Sequence, residues 1–457
     1  MESKTYYPLS PGQLAIFYSR KYAIRKSVIN IPTSLIIHES MDLDILEKAM
    51  KEAINRWDSF GIRLVKEGKI AKQFFGKREV ESIERLDFTN KSREEMESAL
   101  KKLGSKKLEI YDNPMARMYL LTTPEGYGGI FTVISHLIMD SWAITSFYRD
   151  LLEIYYSKLG KGEYPEDVVP YEEVLLEEIR YKDSPAYEKA KAYWHKEFSK
   201  DEPIYTHVNG TEVLDEYRRK KGNENSRASN SFFLRTTSGH DSHWIDKEHV
   251  EKFTKFIVSH QLPSLQVLFQ MALRTYLAKA NNHEKDVTTI NVVARRGTLK
   301  EKKAGGTRVH FVIFRSYMEE NVTFIQACRQ LYNLQNELVR HADYNPLEQL
   351  HMQKKMYGIK DTESYHSVSM TFQPIPINHS ENVPVESSWY TNGAVSIMLY
   401  ITIMDGDGTG GLKCYYEYIA NHISADTIKH LHESMVKIML KGCENPEITL
   451  EELFEVF

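Results

Sequence analysis

The chain has 457 residues, of which 42% are hydrophobic and 27% are charged. This composition is typical of a folded protein, and the length predicts two or three domains rather than one. A formal net charge of −4 argues against nucleic acid or an anionic membrane as the main partner, so we expect a small-molecule or protein partner.

Strands and helices alternate in the first half of the chain, which indicates an α/β fold. Apolar periodicity predicts strands at 33–38, 69–75, 115–122 and 128–135, and helices at 43–57, 92–103 and 143–156. A polar break at 160–167 follows. Beyond it, sequence rich in Glu, Lys and Tyr predicts further helix up to residue 197.

The second half repeats this alternation. It predicts strands at 230–234, 287–293, 309–317 and 368–372, a hairpin of strands 396–402 and 412–419, and helices at 264–280, 324–340 and 425–440. The glycine-rich segment 405–411 is interpreted as the hairpin loop. The similar content of the two halves predicts two lobes, residues 1–175 and 176–457, with a cleft between them.

The three cysteines, Cys328, Cys414 and Cys443, are far apart and lack C-x-x-C spacing. This pattern predicts a reducing compartment and no metal site. The first residues lack an apolar leader, no segment approaches 18 consecutive apolar residues, and no glycine-rich nucleotide motif occurs. We therefore expect a cytoplasmic protein without a nucleotide cofactor.

The segment 128–142 has the strongest functional signal. It is an apolar strand that ends in His136, with Asp140 four residues later. A histidine at the end of a buried strand stands on a rigid element beside which a pocket can form, and it titrates near neutral pH. His136 is therefore the candidate general base. The alternative is a buried structural histidine, with Asp140 favoured at the start of a helix by the helix dipole.

Two other H-x-x-x-D matches occur, which shows how weak the spacing alone is. His38 precedes Asp42, and His422 precedes Asp426. Each pair stands directly before an amphipathic helix, with Asp42 or Ser424 placed as a helix cap. We interpret both pairs as structural.

Five separated segments, taken together, point to a known family. They are 7–13 (YPLSPGQ), 55–63 (NRWDSFGIR), 135–142 (SHLIMDSW), the spaced set Arg296, Gly306 and Arg315, and 341–347 (HADYNPL). In this order they resemble the motifs of nonribosomal peptide synthetase condensation domains, within the chloramphenicol-acetyltransferase-like H-x-x-x-D acyltransferase superfamily. The combination is far more specific than one short motif, and it favours an active-site position for His136.

The resemblance implies an α/β fold of two chloramphenicol-acetyltransferase-like lobes, which form a V-shaped pseudo-dimer with a central tunnel. His136 would accept a proton from an attacking amine or hydroxyl, or orient it, as the nucleophile adds to a thioester. Asp140 would be structural and paired with Arg296. Arg295 is the alternative partner, because the arginine doublet leaves the register open by one residue.

The resemblance also implies partners. An acyl or peptidyl carrier protein would bring the acyl group on its phosphopantetheine arm, and this chain would bind no cofactor of its own. No carrier or adenylation segment accompanies the condensation-like sequence, so we expect a free-standing unit that receives its thioesters in trans. The expected product is an amide in nonribosomal peptide or related biosynthesis.

Three residues depart from the family pattern. Ser135 replaces the first histidine of the motif, Ser141 replaces the glycine after the aspartate, and His310 stands where the family has an asparagine. With Trp142, these residues are expected near the tunnel. His310 would add a second titratable group there and is an alternative base.

The stretch from Arg295 to Arg308 is rich in Arg and Lys, including Lys302 and Lys303. It is interpreted either as a solvated basic loop or as a docking site for an acidic carrier protein. Two other functions stay open: an O- or N-acyltransferase that uses acyl-CoA or an acyl carrier with a small soluble acceptor, and a catalytically silent module that recruits partners. Retention of His136 and Asp140 favours an enzyme.

Overall fold

The computed structural model describes residues 4–68, 70–233, 235–377, 379, 381–406 and 408–457. The strands are β1 (Tyr7–Pro8), β2 (Asn30–Ile37), β3 (Ile62–Glu67), β4 (Ile70–Phe75), β5 (Ile83–Asp87), β6 (Ala116–Thr122), β7 (Gly128–Ser135), β8 (Ser229–Asn230), β9 (Ser238–Ile245), β10 (Asp286–Val293), β11 (His310–Tyr317), β12 (Glu363–Ser364), β13 (Val368–Gln373), β14 (Val385–Trp389), β15 (Leu399–Asp405) and β16 (Leu412–Ile419).

The helices are α1 (Pro11–Tyr22), α2 (Leu43–Arg56), α3 (Arg93–Gly104), α4 (Ser141–Lys158), α5 (Tyr171–Tyr181), α6 (Pro185–Phe198), α7 (Glu212–Lys221), α8 (Lys247–Ser259), α9 (Gln266–Ala280), α10 (Leu299–Lys303), α11 (Phe324–Arg340), α12 (Pro346–Tyr357), α13 (Ala425–Glu444) and α14 (Leu450–Phe454).

The first large sheet has the strand order β14-β2-β7-β6-β5 within the described residues. Its central strands β2 and β7 are buried along their whole length and run antiparallel, with Asn30 opposite Ser135. Such continuous burial requires cover on both faces. Leu35 packs in one core with α2 and α4, whereas its neighbour Ile36 packs in another with α3. His136 therefore follows a central, fully packed strand.

The second large sheet has the order β11-β10-β13-β15-β16-β9 within the described residues. Its core is built with α6, α8, α9, α11 and α13 and is separate from the cores of the first sheet. Strands β15 and β16 are antiparallel neighbours, so the predicted hairpin is confirmed. The predicted α/β class is also confirmed, with one large sheet in each half. The boundary after residue 175 stays a prediction.

Strand β14 belongs to the second half of the chain but pairs with β2 of the first sheet, Trp389 standing opposite Thr33. The side chain of Glu386, on β14, also forms an ion pair with Arg93 at 2.5 Å. Backbone hydrogen bonds therefore tie the two halves together. Strand β14 was not predicted from the sequence, because it has only five residues and two of them are serines.

The strand predicted at 230–234 is wrong in its extent. Only Ser229–Asn230 is a strand, and Leu234 lies outside the described residues. The ring of Phe233 lies 4.4 Å from that of His422, and both Phe232 and Phe233 line a cavity. The apolar residues of this segment therefore pack against other side chains and line the cavity, and they do not extend the strand. Lys69, the predicted start of another strand, also lies outside the described residues.

The capping interpretation of the two other H-x-x-x-D matches is confirmed. Asp42 accepts hydrogen bonds from the backbone N–H groups of Asp44 and Ile45 at the start of α2. Ser424 accepts one from Thr427 at the start of α13. Both matches are therefore parts of helix starts.

A buried histidine makes the fold sensitive to acid. His207, between α6 and α7, is 1% exposed, and its Nδ1 accepts the N–H of Asn209 at 3.1 Å. Burial lowers the pKa of His207 to about 4. The unfolded chain therefore takes up this proton first as the pH falls below about 6.5, and the folded state loses stability until the pH reaches about 4.

We expect the substitution His207→Asn to reduce the loss of unfolding free energy between pH 7 and pH 4.5, by up to about 3 kcal/mol. The amide oxygen of asparagine can accept the Asn209 N–H without titrating. Denaturant unfolding at several pH values measures this effect. The control His351→Asn, at an exposed position, should follow the wild type. A pH dependence of His207→Asn that matches the wild type would contradict the prediction.

Candidate active site

A cavity of about 650 Å³ is lined by residues from both halves of the chain. His136, in the connection between β7 and α4, and Ser141, the first residue of α4, line it from the first half. Phe311 and Tyr400 line it from the second sheet. His136 thus stands on the wall of a space large enough for a small organic molecule.

The backbone around His136 is held by hydrogen bonds from several elements. The N–H of His136 donates to the carbonyl of Ile29 at 2.7 Å, and the Thr307 hydroxyl donates to the carbonyl of His136. The Gln13 side chain donates to the carbonyl of Leu137 at 2.8 Å. Its amide also exchanges hydrogen bonds with that of Gln73, at 2.8 and 2.9 Å. The histidine therefore has a rigid base.

The role of Gln13 was not predicted from the sequence. Its motif indicated family membership but gave no contact. One local signal was present, because Ser10 and Gln13 have the S-x-x-Q spacing of a capping box, and the structure forms that box at the start of α1. The contact of Gln13 with Leu137 is long-range and has no signature in the local sequence.

The His136 ring is half-buried, and burial lowers its pKa, an effect that the nearby Asp140 charge opposes. Its Nδ1 is buried without a well-aligned hydrogen bond in the described part of the chain. Backbone groups of His136 and Met139 are close enough to favour the protonated form, but burial has the larger effect. The ring is therefore neutral at neutral pH, the form that can accept a proton.

Asp140 is the N-cap of α4 and accepts the N–H of Ala143 at 2.9 Å. The Arg296 guanidinium donates to both carboxylate oxygens, at 3.0 and 3.1 Å, and the N–H of Arg308 donates to one of them at 2.9 Å. The Asp140 and Arg296 side chains are 0% and 1% exposed. The structure thus has the expected Asp140–Arg296 pair, and Arg295 is not the partner.

Arg296 also holds α10 and the chain that follows it. It donates to the carbonyls of Glu301 and Ala304, at 2.6 and 2.8 Å, and to that of Gly306 at 3.2 Å. Gly306 has a φ of +77°, and a Cβ there would lie 2.1 Å from the ring of Tyr171. Only glycine fits this position without a shift of the ring.

His310 was expected near the tunnel, and the structure contradicts this. His310 is 0% exposed, its Nδ1 donates to the Ala342 carbonyl at 2.8 Å, and its Nε2 accepts from Arg295 at 2.7 Å. Burial and the Arg295 charge lower its pKa well below the usual value. The next residue, Phe311, lines the cavity, and successive strand residues point to opposite faces. His310 is therefore not an alternative base.

Ser141 lines the cavity and donates a hydrogen bond to the side chain of Gln373, which also lines it. Ser135 and Trp142 do not line this cavity. The Ser135 hydroxyl accepts the N–H of Leu137 at 3.3 Å, and the Trp142 indole donates to the carbonyl of Lys302 at 3.1 Å. Both support neighbouring loops. Of the motif's two serines, Ser141 is the one that lines the cavity.

The basic stretch is more enclosed than the solvated loop considered from the sequence, and carrier docking on it stays a prediction. The side chains of its three arginines are buried: Arg295 binds Glu178 and Asp343, Arg296 binds Asp140, and Arg308 binds Glu301. The lysines are more exposed, but two of them have carboxylate partners. Lys300 lies near Glu173 and Glu177, and Lys303 near Glu166. Most of the positive charge is thus neutralised within the chain, which leaves little to attract an acidic carrier protein.

The described residues contain no group of three or more His, Cys, Asp or Glu side chains placed to hold a metal ion. None of the helices in this part of the chain combines the length and apolar character needed to cross a bilayer.

We expect Asp140→Ala to lower the free energy of unfolding by about 3–5 kcal/mol, because Arg296 would be left as an unpaired buried charge. Asp140→Ser should lose most of the same amount, although serine can still cap α4. Denaturant unfolding measures both values. The exposed Asp167→Ala is the control and should stay within about 0.5 kcal/mol of the wild type. An unchanged value for Asp140→Ala would rule out a stabilising pair.

Comparison with known proteins places this geometry in a family. The family model for the Condensation domain matches residues 3–456. The chain is 20% identical over 451 residues to one of the plipastatin synthase subunits of Bacillus subtilis (strain 168), covering 98% of this chain and 17% of that protein. It is 23% identical over 459 residues to surfactin synthase subunit 1 of the same organism, covering 98% and 12%. The chain thus spans less than a fifth of the length of these relatives.

A solved structure shows the same fold. The first condensation domain of the calcium-dependent antibiotic synthetase, in complex with a substrate analogue, superposes with a TM-score of 0.79 at 14% sequence identity, and the match covers 98% of each chain. The expected two-lobed, chloramphenicol-acetyltransferase-like α/β fold is thus confirmed. Because the family model covers nearly the whole sequence, this chain belongs to the condensation domain family.

Proposed function

We propose that this chain joins a carrier-bound acyl or aminoacyl thioester to an amine and so forms an amide bond. The observation that carries the proposal is the placement of His136. Its ring lies on the wall of a cavity lined by both halves of the chain, and burial keeps it neutral. Because Nδ1 is buried, Nε2 is the nitrogen left to meet a substrate in the cavity.

The reaction needs one proton to move. As the amine nitrogen attacks the thioester carbonyl carbon, Nε2 of His136 accepts a proton from that nitrogen, or orients it. The new N–C bond forms and the C–S bond breaks. The proton then passes to the sulfur, which leaves as the free thiol of the phosphopantetheine arm. An enclosed cavity favours this reaction because it brings the reactants together and excludes competing water.

The relatives support this assignment. Two belong to the plipastatin and surfactin synthases, and a similar solved domain is in complex with a substrate analogue. We propose that an acyl or peptidyl carrier protein delivers the phosphopantetheine arm in trans, and that the chain itself binds no cofactor. We also propose a cytoplasmic location, which fits three cysteines that form no disulfide.

We expect His136→Ala to lower turnover by about 10²–10⁴-fold, since that is the usual cost of losing a general base. Turnover is measured by mass spectrometry of the products formed from loaded carrier proteins and candidate amines. The melting temperature should stay close to that of the wild type. The exposed His351→Ala is the matched control and should keep full turnover. Full activity of His136→Ala would show that this histidine is not the base.

The pH dependence provides an independent test. Because burial lowers the pKa of His136, the neutral form should persist below the ordinary value of about 6.5. Protonation of the amine substrate affects the wild type and His136→Ala alike, so it cancels in the ratio of their single-turnover rates. This ratio should therefore stay level as the pH falls through 6.5 and decrease only under more acidic conditions. A ratio that already halves near pH 6.5 would contradict a lowered pKa.

A further inference from the structure

We propose that Glu417 forms a cation-binding subsite in the wall of the cavity, so that one substrate has an ammonium or guanidinium group besides its reacting group. The inference rests on the proposed function and names a substrate class for it. Glu417 lies on β16 and is the one carboxylate among the described residues that line the cavity. Most of the remaining wall is apolar, aromatic or uncharged.

The Glu417 carboxylate has no strong partner within the described part of the chain. Among the described residues no hydrogen bond reaches it, and the nearest basic group there is Nδ1 of His240, 3.8 Å from Oε1. That nitrogen is itself buried without a hydrogen bond. The Glu417 side chain is 32% exposed, so a negatively charged hydrogen-bond acceptor remains open to the cavity. A carboxylate in such a wall is costly unless a ligand or a partner compensates it.

The neighbouring aromatic side chain suits a cation. Tyr400 stands directly opposite Glu417 in the pairing of β15 with β16, and it also lines the cavity. Burial is the main cause that raises the pKa of Tyr400, and the Glu417 charge adds to it, so the hydroxyl stays neutral. Directly opposed residues have adjacent side chains. A carboxylate beside an aromatic ring is the arrangement that binds organic cations.

Two other charged residues line the cavity, Arg25 and Arg235. Both are exposed, and the Arg25 guanidinium already donates to the Gly393 carbonyl at 2.7 Å. Water and salt screen such charges more strongly than the less exposed Glu417. The two arginines therefore do not prevent a cation from binding to Glu417.

The reacting amine is not the group that Glu417 would bind. An amine attacks a carbonyl as the neutral base, whereas a carboxylate stabilises the ammonium form and so opposes attack. The cation held by Glu417 is therefore a second group on the donor or the acceptor. Glu417 thus acts on the choice of substrate, and His136 acts on the reaction.

Binding of small probes tests the subsite without any turnover. We would titrate the full chain with n-hexylammonium and with 1-hexanol, which have the same carbon chain, and measure dissociation constants by ligand-observed NMR. Hexylammonium should bind the wild type ~10-fold more tightly than it binds Glu417→Gln, since a hydrogen bond to a charged group is lost. Hexanol should bind both alike. The exposed Glu433→Gln, on α13, is the matched control and should behave as the wild type.

Equal affinity of hexylammonium for the wild type and Glu417→Gln would overturn the subsite. If Glu417→Gln has a lowered melting temperature, Glu417→Asp replaces it, because this variant keeps the charge but shortens its reach and should lie between the other two. Turnover is scored separately, with the thioesters of 6-aminohexanoate and heptanoate as donors and with lysine and norleucine as acceptors. If hexylammonium binds the wild type more tightly than Glu417→Gln but no amide product forms, the proposed function is wrong and the subsite stands. If products form but hexylammonium binds both proteins equally, the subsite is wrong and the proposed function stands.

Discussion

The buried ion pair between Asp140 and Arg296 is the interaction on which the rest of the site depends. The two residues come from different halves of the chain, and their side chains are almost fully removed from solvent. Asp140 caps the helix after His136, while Arg296 gathers the carbonyls before and at Gly306. Either charge alone would be costly to bury. The loop that carries His136 and Asp140 and the chain around Gly306 therefore depend on each other for their structure. The pair thereby fixes the loop that carries His136 against the second half.

Asp140 holds the loop of His136 in place but does not keep the histidine protonated. The Asp140 oxygens are engaged by Arg296, by the helix start and by the backbone of Arg308. Its charge still opposes the lowering of the His136 pKa, but burial of the ring has the larger effect. The histidine can then remain neutral beside an acidic residue, because that residue is already neutralised by an arginine.

Sequence patterns predicted the helices and strands that have strong apolar periodicity. They failed where tertiary contacts determine the position or direction of a residue. The predicted helix 324–340 matches α11, whose apolar face is buried along the core. The motif resemblance located His136, Asp140 and Arg296. The resemblance could not give the direction of a side chain. It therefore predicted His310 near the cavity, whereas His310 faces away from it. Glu417 has no local signal at all, since a glutamate is unremarkable among alternating strand residues.

The pairing of β14 with β2 has a consequence for how copies of this chain meet in solution. Without β14, the fully buried β2 would form one edge of the first sheet and offer its unpaired backbone groups to strands of other molecules. The edge is formed instead by a five-residue strand in which Glu386 is tied to Arg93. The opposite edge, β5, contains Glu84, Arg85 and Asp87. Both edges are therefore short and charged, which protects the sheet against edge-to-edge aggregation.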